Sequence, residues 1–445
     1  MANKISLKND YPDISKSIEL YNRSNRLIPK HSQTLAKSPS QFVFGASPIY
    51  LQSGNGSHVW DVDGNEYIDL IMGVGPISLG YSYPKVDEAI KNQLNQGITF
   101  SLPHPLEIEV SEMLRDIIPN AEAVRFSKIG NDVTAAAVRL ARAYTGRDQI
   151  ILCGYHGSQD WYIGVTEWNK GVPEAVQDLT YTFNYNDIQS LKDAIDENVA
   201  AVIMEPVTFQ LPEDNFLQQV RQICTENGSL LIFDEMWTGF RISLGGAQEF
   251  FNIKADLATF SKACANGMPI SILTGSWEIM KLLEDDVFFY GTFGGETLSL
   301  AATKATLEEL RDKNVPAYLN EKGAILRDGY NAIARSLGME YTRAEGYGYR
   351  SAIEFDPIGG TSLELKTLVQ QEMIKRGVLW GGYNTMSYSH SDEDIQYILS
   401  AYEDTLPILK KSVDENNVKE YLRGATIEPS IRRIHNFNTK PKKRK

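Results

Sequence analysis

Residues 216–236, FLQQVRQICTENGSLLIFDEM, contain the change of pattern that decides the fold. The first part has apolar residues at helical spacing, and the apolar run LLIF then leads into Asp234. A short apolar run that follows a helix in this way is typical of a buried strand. The stretch therefore predicts a helix that returns the chain to a buried strand, with a carboxylate where that strand ends.

The same alternation continues on the N-terminal side of this stretch. Apolar β-rich runs and amphipathic helices alternate from AVRF at residues 123–126 to AAVIMEPV at residues 200–207. Strands separated by helices of this length predict a parallel, doubly wound sheet with helices on both faces. Such sheets bind ligands beyond the carboxyl ends of their strands. We therefore expect polar residues that follow these strands to share one site.

The 445 residues are expected to form more than one domain. We predict a large α/β domain over residues 71–320 and a smaller α/β domain over residues 321–415. Residues 1–70 are expected to contribute to the small domain and to dimer contacts, and residues 416–445 to form a basic, flexible tail. The stretch HVWDVDGNEYIDL at residues 58–70 predicts a hairpin that turns at Asp63-Gly64.

The composition excludes several classes of function. A formal net charge of −13 argues against a nucleic-acid-binding surface. No apolar run approaches the roughly 20 residues of a membrane-spanning helix, and the polar start lacks the apolar core of a signal peptide. The three cysteines have no paired or metal-ligand spacing. We therefore expect a cytoplasmic protein without a metal, a membrane partner or a nucleic-acid partner.

Lys262 lies among small residues in TFSKACANG, residues 259–267, and no carboxylate is beside it in the sequence. A partly desolvated lysine loses its proton easily and can form a Schiff base with a carbonyl. Asp234 and Lys262 follow two successive strand-like segments, so both side chains can face one crevice. The alternatives are a solvated surface lysine and an aspartate that caps a helix or meets Arg241.

An amine and a buried carboxylate in one crevice meet the demands of pyridoxal 5'-phosphate (PLP). Its aldehyde needs a lysine, and its ring nitrogen needs a carboxylate that keeps it protonated. Its phosphate needs N–H donors, which the helix predicted to begin near Gly130 and Asn131 can supply. Tyr155 follows the strand QIILC at residues 149–153 and can stack on a flat ring. A packed core tyrosine is the alternative at that position.

From about residue 28 to about residue 408 the chain resembles the class III aminotransferase family of fold type I PLP-dependent enzymes. Within that family it is most similar to the glutamate-1-semialdehyde aminomutase branch. The resemblance rests on an ordered set of motifs: WDVDGNEYIDL, VRLARAYTGRDQI, YHG, MEPV, DEMWTGFR, FSKACANGMP and GTFGGETLSLAATKATLEEL. It implies an aspartate-aminotransferase-like fold, with a large domain built on a mainly parallel sheet and a smaller C-terminal α/β domain.

The resemblance also implies residue roles. Lys262 is expected to be the Schiff-base lysine and the proton shuttle, and Asp234 to pair with the ring nitrogen. Tyr155 is expected to stack on the ring, and the turn at Gly130 and Asn131 to hold the phosphate.

Further roles follow from the same resemblance. Glu205 is expected near the ring hydroxyl, and Thr292 is expected to reach the phosphate of a neighbouring subunit, which implies a homodimer with shared active sites. A helix-cap partner and a turn residue are the alternatives for these two positions. Trp161 and Arg350 are candidate substrate contacts, and a surface arginine is equally compatible with Arg350.

One departure from the aminomutase branch concerns substrate binding. Leu35 stands where the aminomutases carry an arginine expected to bind the substrate carboxylate. Because leucine cannot replace a charge-assisted pair, we expect transamination between an amino donor and a carbonyl acceptor. The stretch QTLAKSPSQF at residues 33–42 resembles class III-like enzymes of polysaccharide and nucleotide-sugar pathways, which implies a role in sugar or polysaccharide-precursor metabolism. A glutamate-1-semialdehyde-type aminomutase is the first alternative. A noncatalytic homologue that acts as a binding or assembly subunit is the second.

Overall fold

The structure is a computed structural model, and it describes residues 7–442. Its strands in chain order are β1 Leu51–Asn55, β2 His58–Asp61, β3 Glu66–Asp69, β4 Ala123–Ser127, β5 Gln149–Cys153, β6 Thr180–Thr182, β7 Val199–Met204, β8 Leu230–Asp234, β9 Leu257–Phe260, β10 Ser271–Gly275, β11 Thr342–Tyr347, β12 Arg350–Phe355, β13 Val378–Leu379 and β14 Tyr383–Thr385.

The α-helices in chain order are α1 Ser15–Ser24, α2 Pro84–Leu94, α3 Pro105–Ile117, α4 Gly130–Thr145, α5 Asp160–Ile163, α6 Glu174–Gln177, α7 Ile188–Ala194, α8 Phe216–Asn227, α9 Gly246–Phe251, α10 Trp277–Met280, α11 Leu282–Asp285, α12 Thr297–Asp312, α13 Val315–Ser336, α14 Ser362–Lys375 and α15 Asp392–Asp414. A 3-10 helix spans Lys262–Ala265.

Two units divide the chain. Unit 1 combines the described residues up to Tyr83 with Ala317–Ile431, and unit 2 combines Pro84–Pro316 with the segment that begins at Arg432.

The main sheet of unit 2 has the strand order β4-β10-β9-β8-β7-β5-β6. The pairs from β9 through β6 are all parallel, whereas β10 is antiparallel to both β9 and β4. The expected mainly parallel sheet is thereby confirmed. Strand β4, which contains the run AVRF, pairs with the antiparallel strand β10 and therefore runs in the same direction as β9.

The local sequence explains the central strands of this sheet. Every residue of β7 and β8 is buried, as expected for parallel strands covered on both faces. Helix α8 buries Phe216, Val220 and Cys224, which lie four residues apart on one helical face. It ends at Gly228, whose φ of 68° is a left-handed conformation that glycine adopts without strain.

The strand order also positions the candidate site. Strands β5, β7, β8 and β9 are consecutive neighbours along the sheet, although β5 and β9 are far apart in sequence. Because these strands are parallel, their carboxyl ends lie along one edge. Tyr155, Glu205, Asp234 and Lys262 are at or just beyond those four ends. The sheet therefore collects four of the predicted site residues at one edge.

Unit 1 contains two smaller sheets, ordered β1-β2-β3-β13 and β11-β12-β14. The antiparallel pair of β2 and β3 forms the predicted hairpin, and Gly64 takes a φ of 94° in its turn. Helix α15 begins with a capping box in which Ser391 and Asp394 exchange hydrogen bonds. This capping box fixes the start of the long C-terminal helix.

The structure has contacts in the region that the sequence predicts as a flexible tail. Residues 418–421 form a 3-10 helix, and the segment that begins at Arg432 is part of unit 2, where Lys440 hydrogen-bonds to Thr182. The first six residues of the predicted N-terminal segment and the last three of the tail lie outside the described residues. Within residues 7–442, no helix is both long enough and apolar enough to cross a bilayer. That same range holds no cluster of three or more metal-ligating side chains.

Candidate active site

Lys262 begins the short 3-10 helix that follows β9. Its φ of 46° is in the left-handed region, which is uncommon for a residue with a side chain. The next three residues, Ala263–Ala265, are fully buried, so the packed core holds the backbone in this conformation. The Nζ atom of Lys262 lies 4.9 Å from the ring centroid of Trp237. Strained positions of this kind cluster at functional sites.

Asp234 ends β8 with a fully buried carboxylate. One oxygen lies 2.7 Å from Nδ1 of His156, and the other accepts a hydrogen bond from the Met236 N–H at 3.1 Å. The second ring nitrogen of His156 lies 3.2 Å from the carbonyl oxygen of Cys153. Each ring nitrogen of His156 therefore contacts an oxygen atom, and the two contacts fix the orientation of the imidazole beside the Asp234 carboxyl group.

The sequence did not decide whether His156 is a structural histidine or belongs to the site. It follows Tyr155 directly in the motif YHG, and that adjacency is the signal that it belongs to the same site. Its ring also stacks at 6.2 Å on Trp161, which is buried beside it. The indole Nε1 of Trp161 is buried without a hydrogen-bond partner among the described residues. Trp161, a predicted substrate contact, therefore packs against His156, and His156 in turn contacts Asp234.

Tyr155 packs edge-on against Tyr162, with ring centroids 5.4 Å apart. Burial raises the pKa of the Tyr155 phenol, which keeps it neutral. Its backbone N–H donates to the Glu205 carboxylate at 2.8 Å. The loop after β5 and the loop after β7 are therefore joined at the edge of the sheet.

Glycines bring the start of α4 against this loop. A Cβ atom at Gly157, whose φ is 119°, would stand 2.5 Å from the Cβ of Asn131. A Cβ at Gly130 would come 2.9 Å from the sulfur of Met236. The hydroxyl of Thr134 in the first turns of α4 donates to the His156 carbonyl at 2.9 Å. The helix N-terminus is thus packed beside the Asp234 pair, and the aliphatic side chain of Ile129 at its N-cap offers no oxygen acceptor.

Arg432 is a residue that the sequence did not predict at this site. Its guanidinium donates a hydrogen bond to the second carboxylate oxygen of Glu205. Its Cζ atom lies 5.6 Å from the ring centroid of Trp237 and 5.9 Å from that of Tyr155. Burial lowers the pKa of Arg432 to about 10, so the side chain stays cationic at neutral pH.

Two predicted residues lie elsewhere in the chain. Thr292 is at an exposed position in the loop before α12 of unit 2. Arg350 is buried at the start of β12 in unit 1, where its Cζ lies 5.9 Å from the Tyr383 ring centroid. Burial lowers the pKa of Arg350 to about 10. Their expected roles stay predictions.

We call Tyr155, Glu205, Asp234 and Lys262 the strand-end site. It combines a lysine amine, a buried carboxyl group in contact with His156, a neutral aromatic ring and a nearby helix N-terminus. These are the groups that hold the aldehyde, ring nitrogen, ring face and phosphate of PLP. The glycines Gly130 and Gly157 let the start of α4 and the loop after β5 approach closely, and a helix N-terminus presents free N–H groups to an anion. The residues present therefore fit PLP.

A sequence profile of the family described as aminotransferase class-III matches residues 44–404. The chain belongs to the class-III aminotransferase family. This confirms the resemblance, and the family's cofactor is PLP.

Individual relatives of this class-III chain carry two kinds of name. This chain is 34% identical over 425 residues to the 3-aminobutyryl-CoA aminotransferase of Cloacimonas acidaminovorans. The aligned region covers 92% of this chain and 100% of that protein. This chain is 35% identical over 429 residues to the glutamate-1-semialdehyde 2,1-aminomutase of Alkaliphilus oremlandii, covering 89% of this chain and 100% of that protein.

A solved structure supports the same assignment. The FumI protein of Sphingopyxis sp. MTA144 in its PLP form superposes with a TM-score of 0.84 at 27% identity, over 92% of this chain and 100% of that one. The expected fold type I and the expected PLP-dependent aminotransferase class are confirmed.

Proposed function

We propose that the strand-end site catalyses transamination between a small-molecule amino donor and a carbonyl acceptor. The observation that carries this proposal is the placement of Lys262 and Asp234 at the ends of the neighbouring strands β9 and β8. When bound, PLP supplies an aldehyde that takes up the amino group and a ring that stabilises negative charge on the reacting carbon. The chain has to hold this group and move protons around it.

The residues divide this work. Lys262 would hold the aldehyde of the cofactor, and its Nζ atom is the base that would take the proton from the donor carbon that bears the nitrogen and return it. Asp234 would pair with the ring nitrogen, and His156 orients Asp234. Tyr155 would cover a ring face. Each role requires a group in a fixed place, and the packed strand ends meet that requirement.

We also propose roles for the remaining predicted contacts. The backbone N–H groups at Gly130 and Asn131 would receive the phosphate. Glu205 would lie near the ring hydroxyl. Trp161 and Arg350 would contact substrate.

We propose a homodimer in which Thr292 completes the phosphate site of the second subunit. Large apolar side chains flank Thr292, and Phe288 and Phe293 are 74% and 59% exposed. Leu102 in the segment before α3 is 79% exposed. Exposed apolar residues at this density favour a protein partner. Analytical ultracentrifugation of wild-type protein and the Phe293→Asp variant tests this proposal, and a wild-type monomer would contradict it.

An aminomutase is the second candidate, because relatives at about the same identity carry that name. The two reactions differ in their need for an acceptor. We expect a single amino compound, added without a keto acid, to convert the PLP absorption band once and then stop. Continued formation of an isomer would establish an aminomutase instead. A role in sugar or polysaccharide-precursor metabolism and a cytoplasmic location both stay predictions.

Borohydride reduction of the PLP-loaded protein, followed by peptide mapping, tests the site itself. We expect the label on Lys262 and conversion of the absorption band by at least one amino donor from a screen that includes amino sugars. Label elsewhere would overturn the assignment of Lys262. Correct labelling without conversion by any donor would favour the noncatalytic homologue.

A further inference from the structure

An ion pair joins the start of helix α4 to the start of helix α12. The Lys128 amine donates to a carboxylate oxygen of Glu296 at 2.9 Å, and the two side chains are 20% and 11% exposed. Lys128 directly precedes the N-cap of α4, and we call residues 128–131 the phosphate turn. Because partly buried ion pairs are screened much less than exposed ones, this pair fixes the phosphate turn against α12.

Glu296 also caps helix α12. One carboxylate oxygen accepts from the Leu298 N–H at 2.6 Å, and the oxygen that contacts Lys128 lies 2.6 Å from the Ser299 hydroxyl. Burial alone would raise the pKa of Glu296, but hydrogen bonds from Ser299 and Lys128 outweigh it and lower the pKa. The carboxylate therefore stays charged and holds Lys128 and Ser299 at the same time.

The segment that carries Lys262 is closed at its base. We call residues 262–270 the lysine loop. The hydroxyl of Ser261, directly before Lys262, donates to the Ile270 carbonyl at 2.6 Å. Helix α12 packs against the 3-10 helix that begins at Lys262. The lysine loop is therefore a compact unit, and a contact near its end bears on the position of Lys262.

Ser299 makes such a contact. Its hydroxyl is buried and lies 3.1 Å from the carbonyl oxygen of Pro269, in the last part of the lysine loop. A hydroxyl carries one proton, which Ser299 shares between this carbonyl and the Glu296 carboxylate. A continuous path of polar contacts thus runs from Lys128 through Glu296 and Ser299 to Pro269.

We propose that Glu296 is a positioning residue that holds the phosphate turn and the lysine loop in register, so that one PLP molecule reaches both. This inference rests on the proposed function, which assigns the phosphate to the turn and the aldehyde to Lys262. PLP is rigid, so its two ends are bound together only when these two segments are correctly spaced. Supporting hydrogen bonds behind the binding groups provide that spacing.

The first test compares three ligands on cofactor-free, full-length protein by titration. PLP uses both segments, pyridoxal has no phosphate and uses only the lysine loop, and inorganic phosphate uses only the turn. In Glu296→Gln, glutamine keeps an oxygen acceptor for Leu298 but has no charge for Lys128. A ligand held at two points loses affinity when the geometry no longer allows both contacts.

We expect Glu296→Gln and Lys128→Met to bind PLP about 10-fold more weakly and to bind pyridoxal and inorganic phosphate as wild type does. Unchanged PLP affinity in both variants would overturn the proposal. An equal loss for all three ligands would also overturn it, because that pattern indicates general damage to the site. A loss of phosphate affinity in Lys128→Met alone would show that Lys128 binds the phosphate directly, and the positioning role would then fall.

Two variants serve as controls for the ion pair. Arg221→Met removes a 2.7 Å ion pair with Asp256 whose side chains are 23% and 29% exposed. Asp256 precedes the amino end of β9, away from Lys262 at the other end, so PLP affinity should not change. Lys128→Arg keeps the cation and should retain the affinity of wild type. A loss in Arg221→Met as large as that in Lys128→Met would contradict a specific role of the Lys128 pair.

The second test measures the half-reaction at saturating PLP in Ser299→Ala and Glu296→Gln. The rate constant should fall about fivefold, because Lys262 is displaced relative to the donor carbon. The donor concentration at half-maximal rate should stay the same, since the donor's own contacts are intact. An unchanged rate constant in both variants would overturn the link from Glu296 to the lysine loop.

Failure of the proposed function has a different signature. In that case wild type would carry no borohydride label at Lys262 or would convert no amino donor. The comparison of PLP, pyridoxal and inorganic phosphate still decides the role of Glu296, since it requires no turnover.

Discussion

Each unit of the chain holds a cluster of charged side chains, and the two clusters are built differently. In unit 1, Asp394 accepts hydrogen bonds from the Ser57 hydroxyl at 2.7 Å and the Ser391 N–H at 3.0 Å. It also lies 3.0 Å from Nε2 of His58. We call these four residues the cap cluster. In the strand-end site of unit 2, Asp234 has His156 and one N–H, and Lys262 faces the Trp237 ring.

The difference separates stability from chemistry. Burial alone would raise the pKa of Asp394, but hydrogen bonds from His58, Ser391 and Ser57 outweigh it and lower the pKa to about 2. A carboxylate with so many donors stabilises the start of helix α15. The strand-end site instead sets its charges beside aromatic rings, glycines and a helix N-terminus, where a planar anionic cofactor fits. Substitutions in the strand-end site should therefore change the activity, whereas substitutions in the cap cluster should change the stability of the fold.

The largest effect is expected for Lys262→Ala. Removing the amine removes both the covalent anchor and the proton shuttle, so turnover should fall by roughly 10³-fold or more. The urea midpoint should change little, since the lysine is only partly buried. Steady-state rates and urea unfolding measure the two effects. Lys170→Ala, at an exposed loop position of the same unit, is the control, and comparable activity of both variants would refute the role of Lys262.

A smaller loss is expected for Asp234→Asn. Asparagine keeps the shape but removes the charge opposite His156, so the half-reaction should slow by about 100-fold. Borohydride should still label Lys262, because the amine is intact. Stopped-flow absorbance follows the half-reaction. A rate near that of wild type would mean that the carboxylate of Asp234 does not support the ring nitrogen.

The cap cluster should show the opposite behaviour. Asp394→Asn is expected to destabilise the protein by about 1–2 kcal/mol near pH 5 and to leave the activity per folded molecule unchanged. The folded pKa of Asp394 is lowered, so its stabilisation is present above the ordinary value of about 4 and is lost as pH falls toward about 2.

His58 sets the upper limit of the same effect. The hydrogen bond to Asp394 raises the pKa of His58 against the opposing effect of burial. Its contribution is therefore present below the ordinary value of about 6.5 and declines as pH rises through the folded value. Urea midpoints at pH 3, 5 and 8 should show the largest difference at pH 5. Asp392→Asn, exposed in the same first helical turn, is the control, and a pH-independent difference would exclude this ion pair as the cause.

The smallest effect is expected for Gly130→Ala. The added methyl would meet the sulfur of Met236 at 2.9 Å, and a flexible thioether can give way at a cost of about 1 kcal/mol. PLP affinity, measured by absorbance titration, should fall by about fivefold. The double variant with Met236→Ala should recover it. If the double variant does not regain PLP affinity, the loss has a cause other than the contact with Met236.

Much of this site follows from local pattern. The strand ends at Asp234, Glu205 and Tyr155 are recognisable because parallel strands are continuous apolar runs that stop at a polar residue. His156 was ambiguous, since a histidine beside an aromatic residue has the same local signature in a core and in a site. Arg432 carried no signal, because its segment has neither helical nor strand periodicity.

By itself, the sequence determined the alternation of strands and helices, the hairpin at Asp63-Gly64 and the lysine and aspartate that suit PLP. These depend on residue spacing and on chemistry within short segments. Only the tertiary structure decided that His156 contacts Asp234 and that Arg432 reaches Glu205 and Trp237. Those contacts depend on which strands are neighbours and on the path of the segment from Arg432 to Lys442 along strand β6. Neither property is encoded in the spacing of nearby residues.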